Sequence, residues 1–595
     1  MSLLPPPNVP WQITGNHWMA LPCIHPADAS IHAIGVLHRG SRSAIEFAGG
    51  ARFLSGQDEA LLKPSIEIDG QAHELSAVSV AWERALGWIP TFTCTLGSVL
   101  VRGTIFAPYG RDADVSGAVY ALTLEHRAPG PADLEAVVRF SGRCGYRQLR
   151  VRSARPFVNG MAAIRGESGA VLLEGVDVPG VAALAFMTDG DADVETDGEA
   201  FTFTRRVAIP KGGRAQLAVY MAVGPERDGA EATAGVLRRR GWKELLAATR
   251  DALRTLEQSS GDAAIDRLIN RNLLFAYFYA VGRALDDAQY YLVRSRIPWN
   301  GRGVTCRDWD ALMWTLPAVQ LADPGLAREL LLRTCELHGY APGRGVHYMD
   351  GTLFEPGFAL EGVAAYAIAT DRYIRDTSDD RVVDEPALAD TLYASAEDLH
   401  TRRNDRVPLY TTEVDPSGIP VAHPYTLHAN ATAAQALEIL RRTLDEETAQ
   451  TVDDPEGVRA AMTRQFVVDG DREGKSVYAA SVDLAGGVER ADVPNASAIW
   501  LPIYEAVPRH DSTYRRTVKA AAGSPTLLVQ QCARAVGPDS ALVLHWLRRA
   551  PLDAGVAAEV VDADGRAVAN GGDAALSGLV AWCVWYAVNA LGERP

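Results

Sequence analysis

Near residue 235 the hydrophobic period of this chain changes, and that change limits what each half can build. A strand shows alternate side chains to each face, whereas a helix shows every third or fourth. Up to about 235, short alternating segments recur between Gly, Pro and Asp turns: GAVYALTLEH (117–126), ADLEAVVRFSG (132–142), GAVLLEGVDV (169–178), VAALAFMTDG (181–190), AFTFTRRVAI (200–209) and RAQLAVYMAVG (214–224). So many strands predict a large antiparallel β-sandwich over 1–235. AGVLRRRGWKELLAATRDALRTLEQ then reads as a helical linker over 236–260, with a solvated basic face. Amphipathic stretches follow near 262–285, 308–322, 325–338, 356–373, 386–402, 429–446, 455–467, 494–506, 511–522, 538–548 and 573–591, without a fixed-length repeat, so a solenoid is not indicated. A barrel of helix pairs over 261–595 packs that many helices economically and puts sites in the loops at one end.

At 595 residues the chain exceeds what one core supports, which agrees with two large domains. The 58 basic and 74 acidic residues leave a net charge of −16, which disfavours nucleic acid and anionic membranes as partners and favours a neutral substrate. The opening MSLLPPPNVPWQITG has no basic n-region, and no run approaches the roughly 20 apolar residues of a membrane span, so a cytoplasmic protein is expected. Seven scattered cysteines without a C-x-x-C pair give neither a disulfide framework nor a zinc site, and no metal or cofactor is expected. Cys306 reads as a packing residue rather than a nucleophile. Trp11, His17, Trp18 and His25 read as packing at a domain edge. Oligomeric state stays open, homo-oligomers included.

The chemistry concentrates in 296–317. There a loop broken by Pro298, Gly301 and Gly303 runs into Arg307-Asp308-Trp309-Asp310 at the mouth of an apolar helix. An Arg fork, an acceptor carboxylate and the flat faces of Trp299 and Trp309 suit a sugar ring. Three further loops carry acids beside aromatics or glycines: HYMDGTLFEPGF with Asp350 and Glu355, LYTTEVDPSGIPVAHPY with Glu413 and Asp415, and GVAAEVVDADG with Glu559, Asp562 and Asp564. Glycoside hydrolysis with inversion needs a protonated carboxyl for the leaving oxygen and an ionised one to activate water. The D-x-D-G run at 562–565 lacks the other ligands of a calcium loop and reads as a turn.

The run from Pro298-Trp299 through Arg307-Asp308 to Leu316-Pro317, followed by ADPGLARELLL (322–332), resembles the opening of the glucosidase domain of glycogen-debranching enzymes. It also resembles the wider group of (α/α)6-barrel glycosidases that includes trehalases and processing α-glucosidases. YTTEVDPSGIPVAHPYTLHANATAAQALEIL (410–440) is similar to that group's acid-bearing loop, and AAEVVDADG (557–565) to its base-bearing segment. GGVERADVPNASAIWLPIYEAVPRHDSTYRRTV (486–518) is closer to exo-α-mannosidases of the same barrel. The resemblance, covering about 260–595, implies an N-terminal antiparallel β-sandwich followed by an (α/α)6 barrel. It implies an inverting glycoside hydrolase that cleaves a terminal α-linked glucoside or related sugar of a glycoside or oligosaccharide. Asp415 would be the acid and Glu559 the base, with Arg307, Asp308, Trp299, Trp309, Glu355 and Glu413 in the substrate site. Asn300, Cys306 and Trp309 depart from the group's pattern, and Glu413-Val414-Asp415 replaces its Trp-Met-Asp, so Glu413 rivals Asp415. Two alternatives remain: an inverting disaccharide phosphorylase, in which phosphate replaces base and water, and a polysaccharide lyase using Tyr or His as base, with His347-Tyr348 and His423-Pro424-Tyr425 as candidates.

Overall fold

The structure is a computed structural model describing residues 9–49, 60–111, 113–127, 133–150, 153–156, 161–166, 168–175, 182–470, 475–521, 526–569 and 571–592. The first eight residues and the outer ends of three expected strands, at 132, 176–178 and 181, lie outside the described residues. The chain forms two compact units. One comprises residues 1–257, 281–289 and 296–304, the other 258–280, 290–295 and 305–595.

The first unit is built on three antiparallel sheets, of six, eight and five strands. Gly117–His126, Ala200–Ile209 and Arg214–Gly224 match the alternating segments residue for residue, while Leu134–Arg143, Val171–Gly175 and Ala183–Thr188 overlap three others. All three sheets contribute to one core: Met19, Leu21 and Phe47 from the first, Phe92, Val101 and Leu122 from the second, Val138 and Phe203 from the third. Gly103 leaves room for the Phe92 ring, because a Cβ there would lie 1.9 Å from it. The helical stretch after the last strand forms two helices, Arg227–Arg240 and Trp242–Leu256, broken where Gly241 takes φ 78°. Arg296 reaches back within this unit to the carbonyls of Asn16, His17 and Trp18 at 2.8, 3.1 and 2.8 Å, so the chain from 296 to 304 belongs here.

The second unit holds twelve α-helices among the described residues: Ala263–Tyr279, Leu316–Ala322, Pro324–His338, Leu360–Thr377, Pro386–Arg402, Leu427–Thr443, Glu446–Thr451, Pro455–Phe466, Ser512–Ala521, Leu528–Ala535, Ser540–Leu547 and Ala574–Trp585. They sort by burial. Ala574–Trp585 and most of Ala263–Tyr279, Leu360–Thr377 and Leu427–Thr443 are sealed all round, whereas Pro324–His338, Pro386–Arg402 and Pro455–Phe466 bury one stripe. A helix sealed on every face lies inside a layer of amphipathic ones. Ala574–Trp585 packs on Ala263–Tyr279, and Leu360–Thr377 on Leu427–Thr443. The stretch 494–506 is not an α-helix as expected: it makes two 3-10 turns, Pro494–Ala496 and Ala498–Trp500, because Pro494 and Pro502 interrupt the backbone donors. Short antiparallel pairings such as Thr305–Cys306 with Arg344–Tyr348, and Arg344–Tyr348 with Leu353–Phe358, tie the loops between helices.

Candidate active site

Where the strand Thr305–Cys306 ends, Arg307 and Asp308 lead into a π-helical turn, Asp310–Thr315, before the α-helix Leu316–Ala322. A π-turn widens the helix and often marks a functional site. Arg307, Asp308, Trp309 and Glu355 line a small cleft. Much of the rest of its wall is glycine: Gly343, Gly345, Gly357, Gly362 and Gly418. A Cβ on Gly362 would lie 2.7 Å from the Gly343 backbone, and one on Gly418 2.5 Å from the Arg307 guanidinium, so only glycine permits these approaches.

Asp308 is 1% exposed. Its Oδ2 accepts from the Gly343 N–H at 2.8 Å, while Oδ1 is sealed without a well-formed hydrogen bond although the Tyr366 phenol lies close. Burial pushes this carboxyl up to about 7, against the opposing pull of the Gly343 N–H, Tyr366 and Arg307. Arg307 donates to the Pro416 carbonyl at 2.9 Å and lies against Gly418. Trp309 is buried, edge-on to His428 at 5.4 Å and to Tyr504 at 6.3 Å. His428 Nδ1 in turn meets Glu361 Oε1 at 3.0 Å, both side chains 1% exposed. Burial likewise holds the Cys306 thiol well above its ordinary range, with Asp308 and Asp310 adding to the effect, so it is a packing group.

The other sequence candidates separate. Glu413 is exposed and paired with Arg402 at 2.9 Å, and Arg402 lies over the Phe358 ring at 3.9 Å. Asp415 is buried, and its Oδ1 accepts from Ser417 N, Ser417 Oγ and Ile419 N at 2.8, 2.7 and 2.9 Å. These bonds shape the turn whose Pro416 carbonyl and Gly418 hold Arg307. Asp415 Oδ2 makes no hydrogen bond among the described residues. Val414 and Gly418, which flank Asp415, line the cleft. The Glu559 carboxylate is exposed and likewise makes no hydrogen bond among the described residues, while its backbone oxygen accepts from Leu528 N at 3.1 Å. Asp562 closes the D-x-D-G turn by accepting from Asp564 N and Arg566 N. Glu355 sits exposed at the cleft wall. Trp299 belongs to the first unit, where it packs with Trp11, Cys23, Ala33 and Ala48. His347 is buried against His338, with ring centroids 4.7 Å apart.

Sequence reasoning did not single out Glu361, Tyr366, His428, Tyr504, Arg294 or Asp573; Asp310, the last residue of the Arg307–Asp310 run, joins Arg294 and Asp573 in an ion triad. Arg294 Nη1 meets Asp310 at 2.6 Å, its Nε meets Asp573 at 3.0 Å, and its guanidinium lies 4.6 Å from the Trp314 ring centroid. These partners come from distant chain segments and carry no local pattern. No cluster of three or more His, Cys, Asp or Glu side chains among the described residues could hold a metal ion, and no described helix is long and apolar enough to cross a membrane.

No protein-family model and no curated protein sequence matches the chain. Solved structures do. A bacterial glucoamylase complexed with acarbose superposes with a TM-score of 0.60 at 11% identity, over 98% of this chain and 95% of that one. A putative kojibiose phosphorylase from human microbiome gives 0.59 at 10% identity, over 96% and 86%. The chain therefore shares the fold of these proteins, and the resemblance to barrel glycosidases read from the sequence is matched at the level of fold.

Proposed function

We propose that the chain is a carbohydrate-active enzyme, an inverting glycoside hydrolase whose helical unit is an (α/α)6 barrel with its site in the cleft around Asp308. One observation carries the reading: a buried Asp308 carboxyl, with Oδ1 lacking a well-formed partner, stands between an Arg and a Trp in a glycine-walled cleft. A sugar hydroxyl donating to that oxygen would satisfy a polar atom that is otherwise costly to bury. The fold shared with a glucoamylase supports the same class.

Arg307 and Asp308 hold the ring, and Trp309 lines the subsite. Asp415 is the general acid through Oδ2, with Oδ1 anchoring its turn, and Glu559 is the base that activates water. Glu413 is engaged by Arg402, which favours Asp415 as the acid. The phosphorylase reading keeps one specific support, the fold shared with the putative kojibiose phosphorylase. Purified protein is to be tested on aryl glycosides and oligosaccharides, with and without phosphate. Release of free sugar without phosphate is expected, with kcat/KM falling at least 100-fold in Asp308→Ala, a transition-state loss of roughly 3 kcal/mol or more. Turnover only with phosphate would replace hydrolysis by phosphorolysis. Native-like turnover in a folded Asp308→Ala protein would remove the cleft from the account.

A further inference from the structure

Beside the sugar cleft, and sharing Trp309 with it, lies a second, small cavity. Its wall is largely aromatic, with Trp314, Trp500, Tyr504 and Trp582, and its single charged residue is Arg372. The Arg372 guanidinium lies 4.8 Å from the Trp582 ring centroid, its Nη1 sealed from solvent without a hydrogen-bond partner. The side chain makes no hydrogen bond or ion pair among the described residues. No acid forms an ion pair with Arg372, although the Asp376 charge acts on it from a distance. Asp376, one turn on, accepts from Gln320 at 2.6 Å, and Asp371 pairs with Arg375 at 3.0 Å and with Arg442. A guanidinium in an aromatic wall with no carboxylate in hydrogen-bond contact leaves its donors unfilled, and its planar fork matches an oxyanion at two points. Cation–π contact with Trp582 steadies the charge but leaves the fork's donors unfilled.

We propose that this cavity binds a small oxyanion, of phosphate or carboxylate chemistry, through the Arg372 fork with Asn495 at its edge. The anion arrives either as free inorganic phosphate or as the phosphoryl group of a sugar phosphate seated against Trp309. The site goes beyond the glycosidase reading, and its test is binding rather than turnover, so either can fail alone.

The test is thermal denaturation and titration calorimetry of the full chain at pH 7 and constant ionic strength. Sodium phosphate, a hexose phosphate and sodium chloride are compared on the native protein, Arg372→Gln and Arg372→Lys. Phosphate is expected to raise the native Tm above the chloride control, because a ligand that binds only the folded state stabilises it. Affinity should fall at least tenfold in Arg372→Gln and less in Arg372→Lys. A hexose phosphate binding at least tenfold tighter than phosphate identifies the sugar-borne source, and equal or weaker binding identifies the free ion. A native protein indifferent to both up to 50 mM, or an undiminished response in Arg372→Gln, overturns the proposal. The native measurement decides even if a variant does not fold.

Discussion

Asp308 holds its proton in the folded protein to about pH 7, whereas an unfolded Asp loses it near 3.9. Between those values the unfolded state binds fewer protons, so this residue makes stability fall as pH rises from about 4 to 7 and level off above. Asp308→Asn keeps the shape and removes the titration. Relative to the native protein it should gain on the order of 2–4 kcal/mol between pH 4 and pH 8, at about 1.4 kcal/mol per unit; denaturant melts at both values would expose a pH-independent difference, which would contradict the burial argument. Asp415 allows a separate test, because an Asn there retains the Oδ1 acceptor of the turn but cannot donate a proton as an acid. Asp415→Asn should spare glycosides with good leaving groups and lose those with poor ones, while Asp415→Ala should also raise KM by releasing Arg307 from Pro416. Equal effects of both variants on all substrates would make Asp415 a turn residue only.

Among the elements, helix openings carry the polar structure. Asp573 caps Ala574–Trp585 by accepting from Leu576 N, Asp310 opens the π-turn, and Arg294 joins the two inside a nearly sealed pocket. Removing the cation alone leaves two buried carboxylates uncompensated, so Arg294→Met should cost roughly 3–5 kcal/mol. Asp310→Asn and Asp573→Asn added to it should recover part of that, since Asn still caps. A melting temperature unchanged by Arg294→Met would show the triad to be energetically idle. These elements also mark what was legible in the chain. Strand 200–209 and helix 386–402 were readable because one face is apolar at a fixed period, and strands 117–126 and 214–224 because short apolar runs buried on both faces are bounded by turn residues. The helix Leu528–Ala535 escaped because eight residues carry barely two turns of pattern, and 494–506 misled because its apolar residues mimic a helix that two prolines forbid. Arg307, Asp308 and Trp309 were found because they are consecutive and chemically dense. Glu361 and His428, 67 positions apart, become partners only through the packing of two helices.

At the scale of the whole molecule, the sheet unit and the helical unit each account for themselves by hydrophobic period, and the proposed site falls in the helical one. The sealed helices at 310–322, 360–377, 427–443 and 574–585 begin close in sequence to Asp308, Glu355, Asp415 and Glu559, so the loops entering them supply every acid of the proposed mechanism from one unit. The phosphorylase and hydrolase readings use the same acid and differ in what attacks the anomeric carbon, and both invert. The most direct measurement is proton NMR of the first product of a glycoside that the protein turns over, read before mutarotation, for the native protein and Glu559→Gln. The expected result is a product of the opposite anomeric configuration to the substrate, with no hydrolysis by Glu559→Gln, as single displacement with water held by a base requires. A product of retained configuration, or undiminished hydrolysis in Glu559→Gln, would contradict it.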